Sequence, residues 1–389
     1  MKFLHTSDWH VGKTLKGRPR LDEHKSVLAE IVGHARANDV DAVVVSGDIY
    51  DTSVPTAEAQ RLVIATLLAL AKDGMEVVAI AGNHDSGSTF EAFRPLMGVA
   101  GINLYGQARA KDKGGVYSFT ARSTGEPVNV AVIPFLSQRY AVRAAQLIAP
   151  GDNVPARNVG SYDQWVRNIV DHLHGGYDPD GVNLMTAHLT CTGGAFGGGE
   201  RMAQSIFEYH VPAAIFPIDT HYVALGHLHR RQELPAGCPV HYSGSPLAVD
   251  FGEEENTPTV LLVDASPGTP AKVTDLPLKS ARRLRTVEGT VEQLRAAAEE
   301  YGEDWLRVRV KQSTYAGLRD DIIEALPNAL EIHIHSDFTN TGSGKVSSVQ
   351  VAAKSPAELF AEYCAHVGSD DERVRAMFDT INDELTTSR

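Results

Sequence analysis

Five short clusters of aspartate, asparagine and histidine recur in the first 230 residues, each directly after an apolar run. In chain order they are Asp8-Trp9-His10, Gly47-Asp48-Ile49-Tyr50-Asp51, Gly82-Asn83-His84-Asp85, His188 and Gly226-His227-Leu228-His229. The apolar runs are rich in β-branched residues and have the length of buried strands. One cluster alone could arise by chance. Because α/β sheets present binding residues at the carboxyl ends of their strands, five clusters in register predict one shared site.

The order of predicted elements is typical of an α/β fold. Strands are predicted at Lys2–His5, Asp41–Ser46, Met75–Ala81, Asn129–Phe135, Gly181–Ala187, His221–Leu225, Val240–Ser243 and Thr259–Val263. Leu21–Asn38 and Thr56–Asp73 have helical apolar spacing, so the first half is β-α-β-α-β. We therefore expect a layered α/β sandwich of two mixed sheets. Beyond about Val182 strands follow one another with little helix, and we expect hairpins rather than crossovers there.

The pattern changes near Pro277, and 389 residues suit two or three domains. We predict a first domain over residues 1–277 and a smaller α/β domain over residues 278–338. Residues 339–354 are predicted to hold a linker and a final strand, because Thr339–Ser348 is rich in Gly, Ser, Thr and Asn. Residues 355–389 are predicted to form a helical tail, since Ser355–Glu358 and Ser369–Glu372 both have the pattern of helix N-terminal capping boxes.

Composition and charge exclude several classes of protein. Lys and Arg total 36 against 49 Asp and Glu, and a net charge of −13 argues against nucleic-acid adhesion by bulk charge alone. The longest apolar stretch, Leu62–Ala71, is ten residues with Thr66 inside it. A membrane span needs about 20 residues, so we expect no membrane association. The amino terminus lacks the pattern of a signal peptide, and three widely spaced cysteines fit reduced thiols. We therefore expect a cytoplasmic protein.

The donors in the five clusters are nitrogen and oxygen atoms, and none is a thiolate. A set of this size is too large for one tetrahedral ion and suits two divalent metals of the Mn²⁺ or Fe²⁺ type. Asp48 is the natural bridging carboxylate. Two ions roughly 3.5–4 Å apart can activate a water and clamp the oxygens of a phosphoryl group. The predicted chemistry is phosphoester hydrolysis.

The five clusters resemble the motifs of the calcineurin-like metallophosphoesterases. Tyr242–Pro246, Phe251–Glu253, the small second domain and the tail are similar to one branch, the nuclease subunits of bacterial SbcCD complexes. This resemblance implies a Mn²⁺-dependent DNA nuclease for repair and recombination, a 3′ to 5′ exonuclease on duplex DNA and an endonuclease on hairpin or single-stranded DNA. The alternatives are a small-molecule phosphodiesterase or phosphatase of the same superfamily, and a binding subunit with a vestigial metal site.

The resemblance also implies roles for individual residues. The first metal would be held by Asp8, His10, Asp48 and His229, and the second by Asp48, Asn83, His188 and His227. His84 would face the scissile phosphate as a proton donor or transition-state stabiliser rather than bind metal. Asp85 would orient the His84 imidazole, and capping of the loop backbone is the alternative. Protein phosphatases have Arg after the second motif, whereas Thr52 follows Asp51 here, which favours a diester substrate.

Partners are implied as well. In the family the second domain caps the site and binds DNA, and a terminal element like residues 355–389 binds the coiled coil of an SbcC-type ATPase. The chain has no Walker A motif, so ATP use must belong to that partner. The family also forms a homodimer, within a heterotetramer, through helices that follow the second and third motifs. Six apolar residues of the second predicted helix cannot all face one sheet and imply a second buried face, which that interface or other parts of the same domain could cover: Leu62, Val63, Ile64, Leu67, Leu68 and Leu70. The neighbouring Phe90, Phe93, Leu96 and Met97 suit the same interface.

Two further segments leave alternatives open. Thr190–Arg201 carries five glycines beside His188, which favours a loop that approaches substrate over a simple flexible connector. A basic group could contact phosphates or form a solvated linker face. Its members are Lys279, Arg282, Arg283 and Arg285.

Overall fold

A computed structural model describes residues 1–137, 161–200 and 210–334, with positions 140, 141, 144, 360, 364, 373, 374, 377 and 378. The predicted linker at 339–354 and nearly all of the predicted tail at 355–389 lie outside the described residues. Within the described part, no helix has both the length and the apolar character needed to cross a membrane. The cysteines at 191, 238 and 364 are unpaired, as expected.

The described residues form helices and strands in the following chain order. The strands are β1 Lys2–Thr6, β2 Thr14–Leu15, β3 Arg18–Pro19, β4 Ala42–Val45, β5 Glu76–Ile80, β6 Ile102–Tyr105, β7 Val116–Thr120, β8 Pro127–Ile133, β9 Val182–His188, β10 Thr190–Cys191, β11 His210–Val211, β12 Tyr222–Gly226, β13 Gln232–Leu234, β14 Val240–Tyr242, β15 Thr259–Ser266, β16 Thr269–Pro277, β17 Leu284–Gly289, β18 Trp305–Val310 and β19 Ala329–Ile334. The helices are α1 Leu21–Ala37, α2 Ala57–Lys72, α3 Gly87–Val99, α4 Tyr162–His174, α5 Val291–Ala296, α6 Ala298–Tyr301 and α7 Leu318–Ala325. Short 3-10 turns lie at Lys111–Lys113, Ala213–Ile215 and Phe251–Glu253.

Two mixed six-stranded sheets form the body of the molecule. The first has the order β16-β15-β1-β4-β5-β6, and the second β13-β14-β12-β9-β8-β7. Side chains such as Phe3 and Val44 on one sheet pack against Leu184 and Tyr222 on the other. Helices α1 to α3 cover the outer face of the first sheet, and α4 covers the second. The predicted α/β sandwich of two mixed sheets is confirmed, and all eight predicted strands are present.

The expectation that hairpins complete the sheet after Val182 is wrong for the centre of the second sheet. β12 pairs in parallel with both β9 and β14, and antiparallel hairpins occur only at β13–β14 and β15–β16 among the described strands after that point. The reason is that β9 and β12 are buried along their whole length. A strand buried on both faces lacks the alternation of apolar and polar residues, and its sequence does not show the direction of its neighbour.

The described part of the predicted second domain is a small sheet covered by helices. Strands β17, β18 and β19 pair in parallel, with β18 in the centre. Val308 and Leu306 on β18 pack with Leu294 and Ile322 from the covering helices. This cluster is distinct from those of the two large sheets. The strand predicted from the alternating pattern of Trp305–Lys311 is therefore present, and one of its faces is packed.

A buried ion pair at the start of helix α1 accepts a hydrogen bond from this unit. The guanidinium of Arg20 is fully buried and donates to both carboxylate oxygens of Glu23, at 3.0 and 2.8 Å. It also donates to the carbonyl of Ala248. The indole nitrogen of Trp305 donates to the same Glu23 carboxylate at 2.9 Å. Glu23 is thus shared between helix α1 and strand β18.

We expect Arg20→Met to destabilise the fold by about 3–5 kcal/mol, because it leaves the Glu23 carboxylate without its main counter-charge. Arg36→Met is the matched control: Arg36 pairs with Asp73 at 2.6 Å, but its side chain is 54% exposed. Exposed pairs contribute about 0–1 kcal/mol. Chemical denaturation of both variants measures the difference, and equal losses would contradict the structural role of the buried pair.

Candidate metal centre

The five clusters meet at one edge of the sandwich, where strands of both sheets end. The residues are Asp8 and His10 after β1, Asp48 after β4, Asn83, His84 and Asp85 after β5, His188 at the end of β9, and His227 and His229 after β12. All nine are buried. Because β1, β4 and β5 run in parallel, as do β9 and β12, their carboxyl ends face the same way. The predicted convergence of these side chains is therefore found in the structure.

The backbone turns sharply at this edge. Four non-glycine residues hold the left-handed conformation, with φ of 53° at Asp8, 45° at His10, 49° at Asp48 and 104° at His227. Such backbone costs on the order of 1–3 kcal/mol per residue and persists only where surrounding contacts impose it. The strained residues are those whose side chains must turn inward from a strand end.

Two motif glycines are required by close packing at the same edge. A Cβ on Gly82 would lie 2.2 Å from Asp48 Oδ1 and 2.3 Å from the Asp48 amide nitrogen. A Cβ on Gly47 would lie 2.3 Å from His188 Nδ1, and Gly47 itself has φ of 94°. Any side chain at either position would displace a member of the site.

One group of donors consists of Asp8, His10 and His229, whose nearest donor atoms all lie within 4.8 Å of one another. The Nε2 atoms of His10 and His229 are 3.1 Å apart. Ser7 Oγ donates to Asp8 Oδ2 at 2.6 Å. Asp8 Oδ1 also accepts from the backbone nitrogen of His227 at 3.0 Å, which fixes the carboxylate.

A second group consists of Asp48, His188 and His227, again within 4.8 Å. Asn83 belongs to it, because its Oδ1 lies 2.9 Å from both His188 Nε2 and His227 Nδ1. An amide oxygen and two imidazole nitrogens thus point at one position. This mixed nitrogen and oxygen set is of the kind that Mn²⁺ and Fe²⁺ accept.

Asp48 lies between the two groups. Its Oδ2 is 3.7 Å from His10 Nε2, 3.5 Å from His188 Nε2 and 4.0 Å from His84 Nε2. Asp48, His10 and His84 also form a third group within 4.8 Å. The central carboxylate therefore faces both candidate positions.

Hydrogen bonds on the outer nitrogens orient two of the imidazoles. His188 Nδ1 is 2.8 Å from the carbonyl oxygen of Ser46, and His229 Nδ1 is 2.5 Å from Glu253 Oε1. Since each partner is an acceptor, Nδ1 donates, and in the neutral form of each ring the lone pair lies on Nε2. Both Nε2 atoms face the inside of the site, as metal ligands must. The residues present therefore fit two divalent ions.

The protonation states of the inner residues follow from burial and their neighbours. Burial alone would raise the pKa of Asp48, but the charges of His188 and His84 hold it well below its ordinary value. Burial and the neighbouring His84 lower the pKa of His10 well below its ordinary value, and burial and His188 do the same for His227. An ionised carboxylate beside neutral imidazoles is the state that metal binding requires.

Three other residues of the site have raised pKa values: Asp8, His188 and His229. Burial raises the pKa of Asp8 to about 6. Burial opposes charge on His188 and His229, but Asp48 raises the pKa of His188 to about 9 and Glu253 raises that of His229 to about 10. A metal ion that binds these imidazoles must displace a proton.

His84 lies beside the metal candidates and is held by a backbone carbonyl. Its Nδ1 donates to the carbonyl oxygen of Asp51 at 2.7 Å, and its backbone nitrogen donates to Asp48 Oδ1 at 2.8 Å. The other ring nitrogen faces the site, 4.0 Å from Asp48 Oδ2. This position suits a group that handles a proton at the reacting phosphate, and the geometry also places it near enough to bind metal. Its assignment as a non-ligand stays a prediction.

The expectation that Asp85 orients His84 is wrong, and the alternative is found instead. The Asp85 carboxylate accepts from the backbone nitrogens of Ile49, Tyr50 and Gly82, at 3.1, 2.9 and 2.9 Å. It therefore fixes the loops after β4 and β5 relative to each other. Three backbone donors satisfy both carboxylate oxygens, while His84 is oriented by the carbonyl described above.

Sequence reasoning missed the part that Glu253 plays here. In the sequence, Phe251–Glu253 marks the branch of the family and shows no link to His229. The two residues are 24 positions apart, and no spacing rule connects them. Asp250, Glu254 and Glu255 are acidic as well, so nothing in the local sequence distinguished Glu253 from its neighbours.

The glycine-rich segment packs directly on the centre as far as it is described, to Glu200. The Glu200 carboxylate accepts from the backbone nitrogens of Gly197 at 2.6 Å, Gly198 at 2.7 Å and His229 at 2.9 Å. A Cβ on Gly197 would lie 2.8 Å from the Cβ of His229. The expected proximity of the loop to the site is found, and contact with substrate stays a prediction.

Two arginines of the basic group are engaged in contacts within the predicted second domain. Arg282 pairs with Glu303 at 2.9 Å and stacks 4.8 Å above the Trp305 ring. Arg285 pairs with Asp304 at 3.3 Å. These pairs neutralise two of the four cations, and they favour the linker-face interpretation over phosphate binding.

We expect Gly82→Ala to reduce metal binding at both positions and to cost about 1–3 kcal/mol, because the new methyl group overlaps Asp48. Gly33→Ala is the matched control, since nothing lies within 4 Å of a Cβ there. In the middle of helix α1 that change should stabilise by about 0.5–1 kcal/mol. Metal analysis and denaturation of both variants check this, and full metal content in the Gly82 variant would contradict it.

Comparisons with known proteins agree with this site. The family model of the calcineurin-like phosphoesterases matches residues 1–231, and that of the type 5 capsule protein repressor C-terminal domain matches residues 280–367. The chain is 36% identical to the D subunit of the nuclease SbcCD of Bacillus subtilis (strain 168) over 287 residues, 73% of this chain and 71% of that protein.

Two further relatives carry the same name. Identity to the protein of Rhodobacter capsulatus is 31% over 293 residues, 71% of this chain and 69% of that protein. Identity to the protein of Escherichia coli (strain K12) is 27% over 341 residues, 86% of this chain and 84% of that protein. The resemblance drawn from the motifs is thus confirmed: the chain belongs to the calcineurin-like phosphoesterases and, within them, to the SbcD family of nucleases.

Proposed function

We propose that this chain is the metal-dependent nuclease subunit of an SbcCD-type complex and hydrolyses phosphodiester bonds of DNA. The observation that carries the proposal is the Asp48 carboxylate, which lies between two groups of imidazole, carboxylate and amide donors. Family membership supplies the nuclease activity and the implied divalent ions. The finer assignments below, including Mn²⁺ as the ion, rest on this geometry.

The proposed ligands divide into two sets that share Asp48. Asp8, His10 and His229 complete the first set, and Asn83, His188 and His227 complete the second. When bound, two such ions supply Lewis-acid polarisation of the phosphoryl oxygens and a water of lowered pKa. The chain itself supplies ligand orientation, through the hydrogen bonds of Ser46 and Glu253 to the outer imidazole nitrogens.

The proposed role of His84 is proton transfer to the leaving oxygen. The bond from Nδ1 to the Asp51 carbonyl fixes the ring and directs Nε2 at the site. Asp85 contributes indirectly, because it locks the loops that carry Asp48 and His84. His84 remains only 6% exposed, so the ring is held in one orientation by packing.

The residue after Asp51, Thr52, supports a phosphodiester substrate. Thr52 Oγ1 donates to the carbonyl of Val54 at 3.1 Å, and its short side chain offers no cation to a second phosphate charge. The nearby Lys13 pairs with Asp51 at 3.1 Å. A phosphomonoester dianion would lack a bidentate partner here, whereas a diester carries one charge fewer.

We further propose the family's specificity and assembly for this chain: 3′ to 5′ exonuclease action on duplex DNA, endonuclease action on hairpins or single strands, and an SbcC-type ATPase as partner. Two copies would associate through helices α2 and α3, within a heterotetramer. Leu68, Leu96 and Val99 on these helices are exposed, which supports an interface there. Five of the residues considered for it instead pack in the chain's own core: Val63, Leu67, Leu70, Phe90 and Met97.

Hydrolysis assays distinguish the nuclease from the small-molecule alternative. The purified chain, with Mn²⁺ and with its SbcC-type partner, is incubated with end-labelled DNA hairpins, with linear duplex and with chromogenic phosphomonoesters and diesters. We expect the complex to cleave DNA at substrate concentrations far lower than those at which it hydrolyses the chromogenic substrates. Turnover of the chromogenic substrates alone would favour the small-molecule enzyme, and binding without turnover would favour a vestigial site.

We expect His84→Ala to retain both metals and to lose DNA hydrolysis by about 10²–10⁴-fold, the range typical of a lost general acid or base. Metal content by elemental analysis and single-turnover cleavage rates are measured on the same preparation. A variant that loses a metal along with activity would show that His84 is a ligand.

We expect Asp48→Asn to weaken both metal positions together, because the shared carboxylate faces both donor groups and its charge is removed. Anomalous scattering from crystals of the variant grown with Mn²⁺ reports the two occupancies separately. One full and one empty position would contradict the bridging assignment.

A further inference from the structure

The carboxylate of Glu253 contacts the metal centre from outside the five motif clusters. Its side chain is 1% exposed. Oε1 lies 2.5 Å from His229 Nδ1, and Oε2 accepts from the backbone nitrogen of Val249 at 2.8 Å. Both oxygens are therefore engaged, one by the imidazole and one by the chain segment that carries Glu253 itself.

The position of Glu253 is set by its own turn and by the core beneath it. The residue ends the 3-10 turn Phe251–Glu253, whose first turn is capped by Asp250 Oδ1 accepting from Gly252 at 2.9 Å. Phe251 is buried and packs with Leu15 and Leu284, so the turn is anchored to both domains. The carboxylate has little freedom to leave His229.

The glycine-rich loop closes the other side of this carboxylate. A Cβ on Gly199 would lie 2.0 Å from Glu253 Oε1. A Cβ on Gly252 would lie 2.8 Å from the carbonyl oxygen of Gly198, so the two backbones are in direct contact. No other side chain fits between the glycine-rich loop and the turn Phe251–Glu253. The His229 imidazole is therefore the side chain that Oε1 contacts.

The two outer-nitrogen bonds of the site differ in strength. His188 is held by the neutral carbonyl of Ser46, whereas His229 is held by a carboxylate. A carboxylate is the stronger acceptor, fixes the ring more firmly and increases the electron density that the imidazole offers a metal. The two sides of the centre are therefore not equivalent.

We propose that Glu253 is a positioning residue for His229: it holds the Nδ1 proton, directs the Nε2 lone pair into the site and selectively tightens the metal position that contains Asp8 and His10. The inference rests on the proposed two-metal function. Glu253 does not itself touch either candidate position, since its carboxylate faces the outer nitrogen of the ring.

The test measures Mn²⁺ binding to the metal-free full-length chain by calorimetry, without reference to catalysis. Wild type is expected to bind two ions. Glu253→Gln should weaken one of the two by about 10–100-fold, the usual effect of losing such a partner, and leave the other unchanged. Anomalous scattering from crystals of the variant with Mn²⁺ should show the loss at the Asp8 and His10 position.

Asp250→Asn is the matched control, because it alters the same turn without contact to the imidazole, and its Mn²⁺ affinities should equal those of wild type. In a His229→Ala background, Glu253→Gln should cause no further loss of affinity, since Glu253 acts through that ring. If Glu253→Gln unfolds without metal, Glu253→Asp keeps the charge but shortens the reach, and it should weaken the same single position.

The outcomes separate this inference from the function on which it rests. Wild type that binds no pair of Mn²⁺ ions would overturn the proposed two-metal function. Two-metal binding in wild type together with unchanged affinities in folded Glu253 variants would overturn the positioning role alone. Further loss in the His229→Ala background, or equal loss at both positions, would also overturn it, because the effect would not pass through His229.

Discussion

Burial of the Asp48 carboxylate is the constraint on which the rest of the site depends. An isolated carboxylate this deep would be protonated, because the interior does not solvate its charge. Here His188 and His84 hold its pKa well below the ordinary value. The site thus keeps a negative charge between two clusters of imidazoles, and a pair of cations is the ligand that balances it. Gly82 and the left-handed backbone at Asp48 make room for that carboxylate.

Sheet stacking brings the partners of Asp48 within reach. Asp8 and Asp48 end strands of the first sheet, and His188 and His227 lie at the ends of strands of the second. A cluster of buried apolar residues lies between the sheets, and His5 bonds across them to Tyr222 and to the carbonyl of Leu225, so the two sheets hold their relative position. A site assembled across two sheets is therefore as rigid as the core beneath it, which preorganises it for phosphoryl chemistry.

Among the described residues, the unit of β17, β18 and β19 is coupled to the rest of the chain near this edge. Glu23 receives hydrogen bonds from Arg20 and Trp305, and Phe251 packs beside Leu284. The turn that begins with Phe251 also carries Glu253 to His229. Contacts that position the second domain are thus continuous with contacts that orient one side of the metal centre.

The spacing of apolar residues and the chemistry of the polar side chains were enough to predict a large part of the fold and of the site. The apolar runs predicted every strand that carries a site residue. The polar clusters after those runs predicted which donor side chains come together at the sheet edge. Periodicity did not specify the direction in which β12 joins β9 and β14, because a buried strand looks alike beside a parallel or an antiparallel neighbour. Strand direction is settled by how the connections pack.

Hydrogen-bond partners were the other matter that tertiary structure decided. His84 and Asp85 are adjacent in sequence, yet His84 bonds to Asp51 and Asp85 bonds to Ile49, Tyr50 and Gly82. Glu253 reaches His229 across 24 positions. The sequence by itself determined which side chains could bind metal, since donor chemistry belongs to each residue. Only the folded chain decided what orients them, because a hydrogen bond depends on distances that exist once the two sheets and the intervening loops have packed.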